Sequence, residues 1–424
     1  MLTERNSALK GILDAALPAL ATREALATTE ILHGIQQGTM VLLANPAHRG
    51  VNPTLIGQPA GIKINANIGT SPLINDETAE QEKLQLCEKY GAHTVMDLST
   101  AGDLDTIRCR MLDSTHLPLG TVPIYAVAQR YLSRQRDPAE MSGDELLDEI
   151  ARQAVQGVDF MTVHCGVTAR AAALAGGDAR VMGIVSRGGS LLARWMAKNH
   201  KENPLLERYD ELLDIALAHN VVLSLGDGLR PGAGADAGDP AQWEEVVVLA
   251  ELAARARAKG VQAMIEGPGH VPLHLVQSQI QGIKCLTRAP LYVLGPLTTD
   301  SAPGYDHIGA AIGGALAGLY GADFLCYVTP AEHLTLPTAD DIRMGIMASR
   351  IAAQSAEVAL RRPPALDRDL QLSLARKSLD WEAMAGLALD PDMVRQRRQA
   401  HAQERECAMC GKFCALRMLD ADLS

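Results

Sequence analysis

Aromatic side chains are scarce in this 424-residue chain, which holds three Phe, three Trp and eight Tyr. Its core must therefore be built from Ala, Val, Leu, Ile and Met, which the 47% hydrophobic share supplies in quantity. Basic residues are also in deficit, with 39 Lys plus Arg against 50 Asp plus Glu and a net charge of −11. That balance argues against a nucleic-acid surface or a polybasic membrane patch. Long apolar runs are lacking too. The strongest candidate, residues 308–320, is too short and too rich in Gly to span a bilayer. The opening MLTERNSALKG has no basic-then-apolar signal pattern, so a cytoplasmic location is expected. Internal repeats and low-complexity tracts are absent, and the composition excludes disorder and collagen-like structure.

Cysteine is present but unevenly spread. In a reducing compartment the eight thiols should be free rather than paired as disulfides. Cys87, Cys109, Cys165, Cys285 and Cys326 are scattered, whereas Cys407-Ala-Met-Cys410-Gly-Lys-Phe-Cys414 crowds three into one short stretch. Three thiolates at this spacing can face one centre, and Gly411 lets the chain turn. Three ligands without a fourth suit a 4Fe–4S cluster with one iron open to an outside ligand. A structural Cys3His zinc site completed by His401 is the alternative.

Residues from about 8 to 37 read as Ala- and Leu-rich helices. From about residue 61, short continuous apolar runs alternate with helical stretches, the pattern of parallel strands covered on both faces. Nine runs qualify: 61–67, 93–99, 120–125, 158–164, 181–186, 221–228, 261–270, 290–297 and 322–330. Polar or functional residues recur at their C-terminal ends: Asn67, Met96, Tyr125, His164, Ser186, Asp227, Glu266 and Tyr292. In a (β/α)8 barrel those ends converge on one face, whereas a doubly wound sheet gathers only the loops at its switch point. The expected fold is therefore α/β, a (β/α)8 barrel over 61–335. It follows an N-terminal helical segment (1–60) and precedes a C-terminal helical arm with the cysteine loop (336–424). Nine runs for eight places leave one run outside the barrel. Pro363 and Pro364 mark a joint between helices.

Four constellations could carry chemistry. His270 in EGPGH and His333 in VTPAEH each follow a strand-like run, and two imidazoles with open positions suit Zn²⁺ or another divalent metal. Ser186 and Arg187, with the amides of Gly188 and Gly189, could bind a phosphate at the start of the next helix. Asp227 and Arg230 in DGLRP offer both signs of charge to a polar substrate. Asp306 and His307 in APGYDH either act in catalysis or order their loop, and the small-residue segment after them suits close helix–barrel packing. Cys326 belongs to a buried run, where a thiol is usually an inert small hydrophobe, though a strand-end position leaves a hydrogen-donor role open. A metal-dependent hydrolase or aldolase using His270, His333 and Glu266, with a structural zinc tail, fits the same residues.

Taken together, KINANIG, TVMDLST, GTVPIY, SRGGS, LGDGLRP, EGPGHVP, LGPLTTD, APGYDHI, LCYVTP and LDWE resemble the phosphomethylpyrimidine synthase family. This is a branch of radical S-adenosylmethionine (SAM) enzymes, and the likeness runs from about residue 38 to the C-terminus. It implies a barrel that binds 5-aminoimidazole ribonucleotide, a cluster on Cys407, Cys410 and Cys414, and a divalent metal, usually zinc, on His270 and His333. Substrate contacts carried over by position are Asn67, Met96, Tyr125, His164, Ser186, Arg187, Gly188, Asp227, Gly228, Leu229, Arg230, Glu266 and Tyr292, with Glu266, Cys326 and Asp306 as candidates for later proton and hydrogen transfers. The resemblance further implies reduced flavodoxin or ferredoxin as electron donor, and a homodimer in which one subunit's arm covers the other's site. LLANPAHRG (42–50), Ala126, Ser301 and a shortened last cysteine gap depart from the long thiamine enzymes. Departures beside a retained substrate site suggest the paralogue 5-hydroxybenzimidazole synthase, which makes the cobamide lower-ligand precursor anaerobically. The thiamine pyrimidine synthase is the alternative.

Overall fold

After helices at Leu2–Arg5, Ser7–Glu24 and Thr28–Gln37, the chain forms a two-stranded antiparallel ribbon, β1 (Val41–Leu43) with β2 (Thr54–Ile56). Eight short parallel strands follow: β3 (Lys63–Ile68), β4 (Thr94–Asp97), β5 (Leu119–Thr121), β6 (Phe160–Val163), β7 (Val222–Leu225), β8 (Ala263–Gly267), β9 (Leu291–Leu294) and β10 (Phe324–Cys326). They close in sequence order, with β10 pairing back onto β3. This computed structural model describes residues 2–176 and 180–422. The expected (β/α)8 barrel is thus present, and its strands are buried almost throughout, as strands covered by helices outside and side chains inside must be.

The surplus ninth run is residues 181–186. Its Val181 and Met182 are exposed, and their amides donate to the two carboxylate oxygens of Asp236 at 2.8 and 3.0 Å. Gly183 then turns the backbone to φ +61°, which ends any extended course. A second difference concerns residues 120–125. Pro123 lacks the amide a ladder needs and instead opens the helix Pro123–Leu132, so Tyr125 lies in a helical first turn rather than at a strand end.

The stretch 41–60 packs on the N-terminal ends of the strands. Asp159, just before β6, accepts from the Asn45 amide, the Leu119 amide and His48 Nδ1, each at 2.7 Å. Gln262, before β8, exchanges two hydrogen bonds with the Leu42 backbone, and Asp323, before β10, accepts from the Gln58 amide at 2.6 Å. LLANPAHRG therefore lies at the end of the barrel opposite the strand C-termini. The expectation that it borders the reaction cavity is corrected. Its His and Asn satisfy backbone groups that the barrel bottom would otherwise bury unpaired. The N-terminal helices add their own apolar cluster, including Leu9, Leu13, Leu20, Ile31 and Ile35.

The helix Asp306–Tyr320 carries the Gly- and Ala-rich segment, and close packing is what it achieves. A Cβ on Gly313 would lie 2.0 Å from the Pro296 carbonyl oxygen. The chain divides into two compact units, Met1–Ala356 and Glu357–Ser424. The second is helical, with Pro363 at the first position of Pro363–Ser378 as the proline joint requires, then Trp381–Leu387, Pro391–Arg398 and Ala415–Asp422. Among the described residues no helix is long and apolar enough to cross a membrane.

Both His48 ring nitrogens face acceptors, the Asp159 carboxylate and the Thr115 carbonyl, and both side chains of the ion pair are fully buried. His48→Ala removes one partner and leaves the other carboxylate buried. It should cost about 3 kcal/mol of stability, measured by urea unfolding followed by circular dichroism.

Candidate active site

At the C-terminal ends of the strands lies a cavity of about 160 Å³. Ten of the residues singled out from the sequence line it: Asn67, Met96, Tyr125, His164, Arg187, Asp227, Arg230, Glu266, Tyr292 and Cys326. Ser186, Gly188, Gly228, Leu229 and Asp306 do not. The strand register explains the convergence, since Asn67 pairs with Met96, Glu266 with Tyr292 and Leu294 with Cys326 on adjacent strands.

One side of the cavity is charged. Arg230 makes an ion pair of 3.1 Å with Asp227 Oδ1, while Asp227 Oδ2 is buried without a hydrogen-bond partner among the described residues. The Arg187 guanidinium, largely exposed, lies over the Tyr125 ring at 4.5 Å. Burial raises the carboxyls of Asp227 and Glu266 above the ordinary carboxylate range. For Asp227 the Arg230 charge opposes that rise, and for Glu266 hydrogen bonds from Thr162 and Ser224, at 2.6 and 2.9 Å, do so. These carboxyls can therefore hold protons that an exposed Asp or Glu would lose.

The opposite side is a polar floor on apolar packing. Asn65 Nδ2 lies 2.7 Å from Tyr292 Oη and 2.8 Å from Asn67 Oδ1, and Asn67 Nδ2 lies 3.0 Å from Cys326 Sγ. Thr94 completes the Asn65 set at 2.7 Å. Asn65 sits one layer beneath the mouth and was missed from sequence, because a polar residue inside a strand looks like any other alternation. Burial pushes the Cys326 thiol up to about 12, so it stands as S–H at neutral pH and offers a hydrogen rather than a thiolate.

The remaining residues act behind the surface. Ser186 caps the helix Arg187–Asn199, its Oγ accepting the Gly189 amide at 3.1 Å and lying 3.1 Å from His164 Nε2. The Gly189 amide is thus already used, which corrects the expectation that it serves a phosphate. Gly188 has a packing role: a Cβ there would fall 2.2 Å from the His164 ring. The Leu229 amide donates to Glu245 Oε2 at 2.7 Å, and Gly228 has a packing role, since a Cβ there would fall 2.2 Å from Val167. Asp306 begins its helix, and its Oδ2, like His307 Nδ1, is buried with no hydrogen-bond partner among the described residues.

His270 and His333 come together with ring centres 5.2 Å apart. His270 Nδ1 is held at 2.7 Å by Asp300, which leaves Nε2 as its open nitrogen. In the C-terminal unit, the amides of Cys410 and Gly411 donate to the Cys407 carbonyl at 3.3 and 3.0 Å and turn the chain between the thiols; the nearby backbone lowers the Cys407 thiol, while Cys410 is raised by its Cys407 neighbour. Arg398 lies over the Trp381 ring at 4.0 Å and donates to the carbonyls of His401, Glu404 and Glu406, so it shapes the segment leading into the thiols. A lowered Cys407 thiol favours thiolate, the form a metal binds, and three thiols on one short turn are a donor set that suits a cluster. Among the described residues no three His, Cys, Asp or Glu side chains converge on one point, and His401 forms no Cys3His group.

His164 gives the site a pH signature. Burial, helped by the charges of Arg230 and Arg187, lowers it to about 3, against about 6.5 in an unfolded chain. As pH falls below about 6.5, the unfolded chain takes the proton and the folded one does not. The contribution is whole above that pH and falls by up to about 1.4 kcal/mol per unit below it. Between neutrality and about pH 5, His164→Gln should lose about 2 kcal/mol less stability than the parent chain in urea titrations.

The family model described as the Radical SAM ThiC family matches residues 3–421. A phosphomethylpyrimidine synthase from Desulforamulus reducens is 48% identical over 422 residues, covering 99% of this chain and 98% of its own. One from Methanocaldococcus jannaschii is 46% identical and covers 99% of each. Among solved structures, a dihydropteroate synthase from Xanthomonas albilineans aligns over 76% of this chain and 100% of its own, at 13% identity and a TM-score of 0.44. Agreement in sequence over residues 3–421, together with a (β/α)8 barrel, shows that this chain belongs to the radical SAM ThiC family, whose chemistry uses SAM and a 4Fe–4S cluster.

Proposed function

We propose that the chain is a phosphomethylpyrimidine synthase, converting 5-aminoimidazole ribonucleotide to 4-amino-5-hydroxymethyl-2-methylpyrimidine phosphate for thiamine biosynthesis. The observation that carries this reading is full-length likeness to relatives bearing that name, at 48% identity over 98% of the relative's length. The relatives' names favour it over the benzimidazole product. LLANPAHRG, one of the departures that suggested the paralogue, lies at the far end of the barrel. What still favours 5-hydroxybenzimidazole is Ala126 beside Tyr125 and Ser301 beside Asp300.

In this reading Arg187 and Arg230 receive the substrate phosphate, with Asp227, Glu266, His164, Asn67 and Tyr292 around the imidazole and ribose. Cys407, Cys410 and Cys414 hold the cluster, and His270 and His333 a divalent metal, zinc, with Asp300 fixing the His270 ring. A reduced cluster held there would supply the electron for reductive cleavage of SAM. Cys326 keeps its hydrogen available at the cavity wall, and Glu266 and Asp227 hold or pass protons there because burial favours their neutral forms. Asp306 joins from the start of its helix. Further parts of the reading are a cytoplasmic homodimer, closure of each site by the partner's arm to exclude water, and reduced flavodoxin or ferredoxin as donor.

The test is anaerobic reconstitution with iron and sulfide, then incubation with the ribonucleotide, SAM and a reductant, followed by mass spectrometry. Hydroxymethylpyrimidine phosphate is the expected product, and 5-hydroxybenzimidazole would replace this reading with the paralogue's. The reconstituted chain should be brown with about four iron atoms, and Cys410→Ser should lose most of them. A colourless chain with stoichiometric tail zinc, or turnover in air without the three cysteines, would overturn the radical reading.

A further inference from the structure

Glu245 lies outside the cavity, on the helix Pro240–Lys259, and shares a buried stripe with Ala241, Leu249 and Leu252. A carboxyl on an apolar stripe needs donors. The turn it faces is closed by the Arg230 amide donating to the Asp227 carbonyl at 3.0 Å, and the Leu229 amide inside that turn donates to Glu245 Oε2 at 2.7 Å. The other carboxyl oxygen, Oε1, is buried with no hydrogen-bond partner among the described residues, so the Leu229 amide is the donor that Glu245 receives. On the other face of the turn, the Leu229 carbonyl accepts from Arg180 Nη2 at 2.5 Å. Arg180 grips Asp239 through two nitrogens, and Asp239 caps the same helix by accepting the Gln242 amide at 2.9 Å. Both backbone groups of Leu229 are thus committed to buried charged side chains, and that leaves Asp227 and Arg230 to face the cavity.

We propose that Glu245 is a positioning residue for substrate: by receiving the Leu229 amide it sets the 227–230 turn so that Arg230 and Asp227 meet the ribonucleotide in register. A backbone N–H can only donate, so the direction of this bond is fixed and the helix must supply an acceptor at this point. An apolar substitute would leave the buried Leu229 amide unpaired, and the turn would rotate to find another partner.

The inference rests on the proposed ribonucleotide site, and calorimetric titration of the chain with 5-aminoimidazole ribonucleotide separates the two. No binding by the parent chain refutes the site itself. If the parent binds, Glu245→Met, which fills the volume without an acceptor, should weaken binding about tenfold or more. Glu245→Gln, which keeps one acceptor oxygen for the Leu229 amide, should stay within about threefold. Leu249→Ala, on the same stripe, should lower the melting temperature yet leave the Kd of the folded fraction unchanged. Unaltered binding by a folded Glu245→Met, or a Gln variant as weak as the Met one, would overturn the proposal. Should the Met variant not fold, hydrogen exchange on the parent chain decides: a protected Leu229 amide before ligand supports it, and rapid exchange there contradicts it.

Discussion

The constraint on which the site depends is the placement of a guanidinium, Arg230, beside carboxyls that burial would rather leave neutral. Arg230 pairs with Asp227 at 3.1 Å, and Glu266 and Glu245 lie within its field. Three acidic groups near one mostly buried cation could not all ionise without a large desolvation cost. Protons held on them lower that cost, in keeping with the raised carboxyls of Asp227, Glu266 and Glu245. In the proposed reading an anionic substrate would meet Arg230 and Arg187 at the mouth, although the chain as a whole carries a net charge of −11.

The barrel separates two jobs by distance along its strands. At the N-terminal ends, Asp159, Gln262 and Asp323 satisfy the backbone of the 41–60 stretch and fasten it to the strands. At the C-terminal ends the unspent hydrogen-bonding capacity, on His164 Nδ1 and Asp227 Oδ2, is where a ligand could be met. Among the described residues, the groups that fasten this stretch at the bottom are paired while these two at the mouth are not, in line with the division between stability and function expected of such barrels.

The mouth was legible in the sequence because these mainly apolar strands end in polar residues that face one side of the barrel. Asn67, His164, Asp227 and Glu266 follow that rule, whereas Asn65, Thr162 and Ser224, polar but inside their strands, carried no such mark. The rule fails where a run is apolar without being a strand, as at 181–186, whose amides are taken by Asp236. It also fails where proline ends the strand early, placing Tyr125 on a helix. Glu245 was missed because a Glu–Glu pair on a helix suggests a solvated face. The i, i+4, i+8 spacing of Ala241, Glu245 and Leu249 was the available signal that one of the two points inward. Asn45 and His48 were misplaced because proximity to a motif in sequence says nothing about which end of the barrel a segment covers.

The account's central claim is that the two arginines at the barrel mouth recognise a phosphate. Comparing the Kd of the ribonucleotide with that of its dephosphorylated ribonucleoside, in the parent chain and in Arg230→Ala, tests it directly. The parent should prefer the phosphorylated form strongly, and the variant should lose most of that preference while binding the ribonucleoside nearly as before. An equal preference in both chains would contradict it.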